Sequence, residues 1–565
     1  MMLVATIAYA DEPDIIIQGL DEAQLTNVQA FLSLTQENCQ STHWRIKMLF
    51  AESDKEITNA LHALGFYQPV IDKHLTFTDD CWQAKFDITA GKPVIIKKMM
   101  VSVQGQARQE PAFNRLLSSL PLKQGDILNH GLYEKIKQNF QALALELGYF
   151  KSHFVKKEIQ VNLETRQATI VLIFDSGPRH RFGAIKIDQN ILNPNFIQRY
   201  IAIKTGDYYS TKKIAKTYNA LAESFYFKSV EIKPEMQAIE NFRVPIEINL
   251  LPKKKHNYSF GLGYDTDIGP VVSAGYKNRR INRKGHYFTL DMAYSPVLST
   301  VEGLYMIPFA YPRHDHFSVG LGYKYEKPDT FESYSGKLSG QYQHIYPSGW
   351  KQILFLDLTY ETFTISDENQ NTLLLVPGIR WEYTESNNIM RPTQGYHVNF
   401  SLSTAHDVVV SDVTFVQAKA AIKHINSLPW SARLISRVNL GATLANDFDR
   451  LPPTYRFYAG GTETIRGYQY KKLGPTDDQG AVIGGKFLTV ASIEYDQFIN
   501  KAWGVAAFVD AGNAYNTNDF TIKIGVGLGL RWISPIGPLR LDVGVPLSGS
   551  DSSFQVHFAT GSPLQ

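Results

Sequence analysis

Residues 522–532 read Ile-Lys-Ile-Gly-Val-Gly-Leu-Gly-Leu-Arg-Trp, an alternation of apolar side chains with lysine, glycine and arginine. Successive side chains of a β-strand point to opposite faces, so this stretch predicts a strand with one apolar face and one small or charged face. The same period of two recurs at 317–325 and 539–545. Such strands suit a sheet with lipid on one side and a wet lumen on the other.

The chain changes character after the lysine run at 253–255. Helical periodicity disappears there, and turn signals such as those at 346–349 and 534–538 separate about 16 strands, an even number of the kind that bacterial membrane barrels prefer. We therefore predict a 16-stranded antiparallel transmembrane β-barrel over 256–565. A soluble all-β protein that buries its apolar face against a second sheet is the alternative.

Composition is compatible with a barrel. The 565 residues include 30 Tyr and 32 Phe, and the formal net charge is +3. This charge balance gives no reason to invoke nucleic acid, whose binders concentrate basic residues on one face. The sequence has no run of about 18 apolar residues that could span a bilayer as a helix, but barrel strands do not need one.

The N-terminus has features of an exported protein. Residues 1–10 are apolar and end in Ala-Tyr-Ala before Asp11, which fits a signal-peptidase site. Because this segment is short and lacks a basic start, we interpret it as the remnant of a signal peptide. Export permits disulfides, and Cys39 and Cys81 either pair or stay as free thiols, since sequence does not give their separation. Two isolated cysteines do not make a metal site.

Three copies of a helix-to-strand junction precede the barrel. Each has an apolar helical face followed by aromatic residues, as in 65–67, 148–150 and 225–227. Glycine opens the first two junctions and can end a helix in the left-handed conformation, so the third helix, with Phe225 there, must end differently. Strands with Gly and Pro punctuation close each copy. The predicted modules are 11–91, 92–178 and 179–255. An unrelated string of small α+β domains is the alternative.

The longest gap between predicted strands, 445–485, contains Arg466. Loops of that length are commonly functional or disordered. Strand alternation turns Glu494 and Asp510 inward on the next two strands, and the arginine fork matches carboxylates. We therefore expect the loop to fold into the lumen and Arg466 to meet both carboxylates. A general acid and base, metal ligands and ordinary pore lining are the alternatives for this pair.

Several segments together resemble the BamA/TamA superfamily of outer-membrane assembly proteins, and the repeats resemble periplasmic POTRA modules. These segments are 460–468, 492–495, 508–512 and 527–538. The resemblance implies three α+β POTRA repeats followed by a 16-stranded antiparallel transmembrane β-barrel in the outer membrane of a Gram-negative bacterium, with 11–255 in the periplasm. It also implies a loop lock, formed by Arg466, Gly467, Tyr468, Glu494 and Asp510.

The same resemblance implies an insertase that needs no cofactor, with a lateral seam between the first strand, 257–265, and the last, 554–560. Unpaired strand edges are costly in lipid and are templates for another strand. Gly261 and Gly263 would loosen the first strand, although ordinary barrel kinks are the alternative. The residues that give the last strand an apolar face are Phe554, Val556 and Phe558.

TamA-type members of this superfamily imply particular partners. These are a TamB-like inner-membrane-anchored protein bound through the N-terminal repeat, 11–91, unfolded outer-membrane clients such as autotransporters, and outer-membrane lipids. A two-partner secretion pore is the nearest alternative, but such pores typically carry two POTRA modules and a plug helix. An outer-membrane enzyme or a porin is less favoured, because the sequence has no nucleophile elbow and a porin would not need three repeats.

Overall fold

The computed structural model describes residues 12–309, 311–388, 391–517, 520–535, 537–548 and 553–560. The interpreted signal-peptide remnant, 1–10, lies outside this part of the chain. The chain divides into two compact units, the second of which takes in residues 189–201 and 219–230 together with the chain from 250 onward. Among the described residues, no helix has the length and apolarity needed to cross a membrane.

Three α+β repeats come first, each with two helices and three strands. The first repeat contains β1 (Asp14–Gln18), α1 (Glu22–Phe31), α2 (His43–Ala63), β2 (Val70–Phe77) and β3 (Trp82–Thr89). The second contains β4 (Ile95–Gln104), α3 (Pro111–Ser118), α4 (His130–Leu147), β5 (His153–Asn162) and β6 (Gln167–Asp175). The third contains β7 (Arg181–Asp188), α5 (Pro194–Ile197), α6 (Thr211–Glu223), β8 (Phe227–Pro234) and β9 (Arg243–Pro252).

Each repeat builds the same small sheet, in which the last strand lies between the other two. The last strand of each repeat runs parallel to the first strand, as in the pairs β1–β3, β4–β6 and β7–β9. Its inward side chains and the apolar helix faces form the core, for example Phe86 with Ile57 and Leu61 in the first repeat. Left-handed Gly65 and Gly148 follow α2 and α4, whereas no glycine follows α6 directly. The prediction of three α+β repeats is confirmed.

Cys39 and Cys81 form a disulfide, with Cα atoms 4.5 Å apart. The bond ties the loop before α2 to the start of β3, and the indole of Trp82 donates to the carbonyl of Asn38 beside it, at 3.1 Å. The sequence left this pairing open because all of α2 lies between the two cysteines.

We expect the double variant Cys39→Ser with Cys81→Ser to destabilise the first repeat by about 2 to 4 kcal/mol, because a cross-link over 42 residues restricts the unfolded chain. Pulse proteolysis in urea, following the band that contains this repeat, would measure the change. Reductant should shift the wild-type midpoint equally and leave the variant unchanged. Equal midpoints for variant and oxidised wild type would show that the bond does not stabilise the repeat.

The second unit contains sixteen antiparallel strands that pair in sequence order. The first eight are β10 (His256–Asp265), β11 (Gly269–Asn278), β12 (Tyr287–Tyr294), β13 (Leu298–Pro308), β14 (Asp315–Glu326), β15 (Glu332–Ile345), β16 (Lys351–Ile365) and β17 (Glu368–Ser386). The last eight are β18 (Gly395–Ala405), β19 (Phe415–Leu428), β20 (Ala432–Ala445), β21 (Phe487–Phe498), β22 (Trp503–Tyr515), β23 (Lys523–Ser534), β24 (Gly537–Pro546) and β25 (Gln555–Thr560).

The strands form a nearly closed barrel whose outward side chains are apolar. In β14, Val319 and Leu321 are exposed on the outside whereas Ser318 and Gly320 are buried. This alternation is the pattern expected for lipid outside and polar groups inside. The prediction of a 16-stranded antiparallel barrel is confirmed, and the alternative of a soluble sandwich is wrong.

Candidate functional site

The segment between β20 and β21, residues 446–486, forms a lumen loop that folds back against the inner wall of the barrel. Ile465 and Tyr468 of this loop are buried in one apolar cluster with Val490 and Ala514 of the wall strands. An irregular segment is tolerated at membrane depth only where protein or a wet cavity surrounds it, and the lumen supplies that environment.

Arg466 lies in this loop and is 3% exposed. Its Nε and Nη2 donate to the two carboxylate oxygens of Asp510 at 2.8 and 2.9 Å, a bidentate pair. Its Nη1 donates to Glu494 at 2.6 Å and to Asp542 at 3.1 Å. Its backbone N–H adds a further bond to Asp510 at 3.0 Å. The structure therefore places the arginine against both carboxylates that strand alternation turned inward, and against a third.

Close approach of the loop to the wall depends on small wall residues. A Cβ atom at Gly525 would lie 1.8 Å from the carbonyl oxygen of Arg466, and one at Gly529 would lie 1.9 Å from a carboxylate oxygen of Asp542. On the other side, the Arg466 guanidinium stacks over the ring of Phe508, 3.5 Å from its centroid. Gly525 thus makes room for the backbone of Arg466, and Gly529 makes room for the Asp542 carboxylate that Arg466 binds.

A second arginine, Arg531, completes the cluster and is 2% exposed. Its guanidinium donates to Glu494 at 2.7 Å and to Asp542 at 2.5 Å, and it lies 3.3 Å from Asp496. Asp496 in turn accepts two bonds from Arg433, at 2.9 and 2.7 Å. We name this group the arginine–carboxylate cluster. Its members are Arg433, Arg466, Arg531, Glu494, Asp496, Asp510 and Asp542.

Sequence reasoning missed Arg531 and Asp542 as members of the cluster. Alternation had already placed both on the lumen face of their strands, so a signal existed for their direction. Arg466 and Arg531 share Glu494 and Asp542 as partners, and the pairing of β23 with β24 sets Gly529 opposite Asp542.

The two residues after Arg466 fix the loop in other ways. Gly467 has φ of +95°, which favours glycine, and its N–H donates to Nε2 of His557 at 2.9 Å. The Tyr468 hydroxyl donates to the carbonyl of Ser548 at 2.5 Å. Gly467 therefore anchors the loop through its backbone, and Tyr468 anchors it through its side chain.

The loop makes further contacts at positions outside the arginine–carboxylate cluster. Glu326 of β14 is 3% exposed and accepts bonds from Tyr470 and Lys471 of the loop. Arg456 donates to three loop carbonyls, including that of Leu451 at 2.7 Å. Glu326 thus attaches the loop to the wall at a second place, whereas Arg456 ties parts of the loop to one another.

The arginine–carboxylate cluster is suited to structural locking. Each of its four carboxylates lies within ion-pair distance of a buried guanidinium group. Removing one partner of a buried ion pair leaves an uncompensated charge and costs about 3 to 5 kcal/mol. In the described residues, no group of three or more His, Cys, Asp or Glu side chains has the arrangement of a metal site.

The seam lies between β10 and β25, which share no ladder in the described part of the chain. Phe554 and Val556 are exposed and Phe558 is partly exposed, while His557 before Phe558 and Ala559 after it are buried. Phe554 lies just before β25, so the described strand begins one residue later than predicted.

The two glycines of the first strand lie in a regular part of the sheet. Gly261 pairs with Ser273 and Gly263 with Val271, without a register shift. A Cβ at Gly263 would meet no atom within 4 Å, so close packing does not require glycine there. The pairing of β10 with β11 therefore continues through both positions.

A barrel with apolar outward side chains and a lumen loop bound to its wall by buried ion pairs, preceded by three α+β repeats, defines an outer-membrane barrel protein with periplasmic POTRA repeats. The model of the Omp85 superfamily domain matches residues 253–563, more than half of the chain. The chain belongs to the Omp85 superfamily. A second model, for the POTRA domain TamA domain 1, matches residues 14–90.

Relatives in this superfamily include outer membrane protein assembly factors BamA. The protein from Nitratidesulfovibrio vulgaris is 25% identical over 401 residues, which cover 65% of this chain and 49% of that protein. The protein from Neisseria meningitidis serogroup B is 19% identical over 568 residues, covering 88% of this chain and 70% of that protein. This chain thus spans about half the length of the first relative.

A solved structure has the same fold. BamA from Haemophilus ducreyi lacking POTRA domains 1–3 superimposes with a TM-score of 0.70 at 18% identity, covering 83% of this chain and 99% of that chain. The assignment of the barrel to the outer membrane and of the repeats to the periplasm follows from this family.

Proposed function

We propose that this protein is an outer-membrane assembly factor of the TamA type that inserts client barrels through the seam between β10 and β25. The proposal requires neither a cofactor nor covalent chemistry, because the exposed strand edges at an open seam template the client's strands by hydrogen bonding. The protein acts in this account as an insertase and not as an enzyme.

The observation that carries the proposal is the weak connection across the seam. Fifteen consecutive strand pairs form ladders in the barrel, whereas β10 and β25 form none in the described residues. Among the described residues, two hydrogen bonds join β25 to the turn after β10, from Thr266 N–H to the Phe558 carbonyl at 3.3 Å and from Phe558 N–H to the Thr266 hydroxyl at 3.1 Å. Within that part of the chain, opening the barrel here breaks fewer bonds than opening it at any of the fifteen ladders.

The TamA assignment rests on the first repeat. The TamA-type POTRA model that matches residues 14–90 supports a TamB-like, inner-membrane-anchored partner for this repeat. Autotransporters, other barrel proteins and outer-membrane lipids are the proposed clients and cargo. Co-purification of an inner-membrane-anchored protein with residues 11–91 tests the partner. We expect this protein to be absent from the preparation of a variant that lacks these residues.

Deletion of residues 11–252 tests the function. We expect the remaining barrel to fold but to lose acceleration of client insertion into vesicles, because the repeats that deliver client segments are gone. Heat-modifiable migration on gels would verify that the barrel is folded, and insertion of an autotransporter barrel domain would be measured by protease protection.

Other functions give different results in the same experiment. After the deletion, a porin would keep its conductance and a barrel enzyme would keep lipid hydrolysis. Either activity in the deletion variant, combined with a full chain that inserts no client, would contradict the proposal. A two-partner secretion pore would export one dedicated client and leave the insertion of unrelated barrels unaccelerated by the full chain.

A further inference from the structure

The first hairpin and the last strand of the barrel each contribute one hydrogen-bond acceptor to the lumen loop. Asp267, in the turn between β10 and β11, accepts a bond from the N–H of Thr462 at 2.7 Å. His557 of β25 accepts one from the N–H of Gly467 at 2.9 Å. Both acceptors therefore bind backbone groups that flank Arg466 in the loop.

The two acceptors also face each other. Because the Gly467 N–H donates to Nε2 of His557, the proton of the neutral ring lies on Nδ1. That nitrogen is 3.7 Å from Oδ1 of Asp267 and 3.4 Å from the hydroxyl of Thr462. Asp267, Thr462, Gly467 and His557 form one connected group, named here the seam latch.

Burial and space favour a switchable role for the seam latch. His557 is 3% exposed, so loss of its partner would leave a buried polar group unpaired. A cavity of about 260 Å³ lies beside the latch, between Gln469 and Tyr470 of the loop, the turn after β10, and β25. Asp267 and His557 of the latch therefore border unfilled space.

We propose that Asp267 and His557 are positioning residues that couple closure of the seam to seating of the lumen loop. The seam has two other hydrogen bonds in the described residues, both at Thr266 beside Asp267. When the loop leaves the wall, both acceptors lose their donors and the seam is released. When the loop is seated, it holds the first hairpin and the last strand together. This inference deepens the proposed insertase function and rests on it.

Amide hydrogen exchange tests the coupling in the full chain in detergent micelles, without a client. The Phe558 N–H reports the seam, and the N–H groups of Thr462 and Gly467 report the loop. We expect Asp267→Ala and His557→Ala to accelerate exchange at the seam on the order of tenfold, the effect of one lost buried hydrogen bond. Asp267→Asn keeps an oxygen acceptor and should retain most of the protection.

Asp329→Asn is the matched control, because Asp329 lines the same cavity but, in the described part of the chain, contacts the loop only through Lys472, 3.9 Å away, without bonding a loop amide. It should exchange like wild type at Phe558. Arg466→Ala should accelerate Phe558 exchange in the wild-type background but add little in the double variant Asp267→Ala with His557→Ala. Equal acceleration in both backgrounds, or unchanged exchange at Phe558 in the alanine variants, would overturn the proposed coupling.

Failure of the latch and failure of the proposed function have different signatures. Coupled exchange in a protein that inserts no client would contradict the insertase function and leave the latch intact. If the protein inserts clients while amide exchange at the seam is independent of exchange in the loop, the proposed function stands and the seam latch is contradicted.

Discussion

Arg466→Ala is expected to free the lumen loop and abolish most client insertion. The variant leaves Glu494, Asp510 and Asp542 without the guanidinium that they share, at a cost of about 3 to 5 kcal/mol. The population of unseated loop should therefore rise by a factor on the order of 100 or more. Limited proteolysis within 446–486 measures the loop, and insertion of an autotransporter barrel measures the activity.

Two further variants show whether the geometry of Arg466 matters. Arg466→Lys keeps the charge but not the bidentate pair with Asp510, so it should recover only part of the protection. Arg380→Ala removes a half-exposed lumen arginine and should behave like wild type. Full client insertion by Arg466→Ala, together with wild-type protease protection of its loop, would contradict the claim that Arg466 holds the lumen loop.

Arg531→Ala is expected to weaken the barrel wall itself. Arg531 bonds Glu494 of β21 and Asp542 of β24 from its place on β23, so its loss leaves buried carboxylates on two other strands under-compensated. We expect a loss of about 3 to 5 kcal/mol in unfolding free energy. The temperature at which the barrel loses heat-modifiable migration, and its urea midpoint in micelles, would measure this loss.

Comparison of the two arginine variants distinguishes an effect on the stability of the barrel wall from an effect on the binding of the loop to that wall. Arg466→Ala should change protease access to 446–486 more than it changes barrel melting, whereas Arg531→Ala should change both. Arg380→Ala again serves as the matched control. A melting temperature of Arg531→Ala equal to that of wild type would show that the bonds to Glu494 and Asp542 contribute nothing net.

Strand alternation predicted the inward direction of Glu494 and Asp510, and together with the turn signals and the signal-peptide remnant it favoured the barrel. A period of two fixes which face a side chain occupies, and the structure brings Arg466 to both residues. Alternation does not fix which inward residues of different strands become neighbours. That depends on register across several pairs, and for this reason the bonds to Asp542 were not foreseen.

Other contacts between distant parts of the chain could not be settled from the sequence, for the same physical reason. The Cys39–Cys81 disulfide depends on how α2 packs on the sheet of the first repeat. The bonds from Asp267 and His557 to the loop join parts of the chain that are 195 and 90 residues away from their donors. No local pattern reports such contacts, whereas three-dimensional packing determines them.

A reversible staple across the seam tests the insertase account most directly. Tyr264 and Phe558 are in ring contact across the seam, so Tyr264→Cys with Phe558→Cys places two thiols there to be joined by a reducible thiol cross-linker, in a background of Cys39→Ser and Cys81→Ser. Leu338→Cys with Leu358→Cys, on paired strands elsewhere in the barrel, is the control.

Client insertion into vesicles is measured with each staple cross-linked and then reduced. The account predicts that the cross-linked seam staple lowers insertion to the rate of protein-free vesicles, that reductant restores it, and that the control staple has no effect. Insertion at the unstapled rate with the seam closed would contradict passage of clients through the seam between β10 and β25.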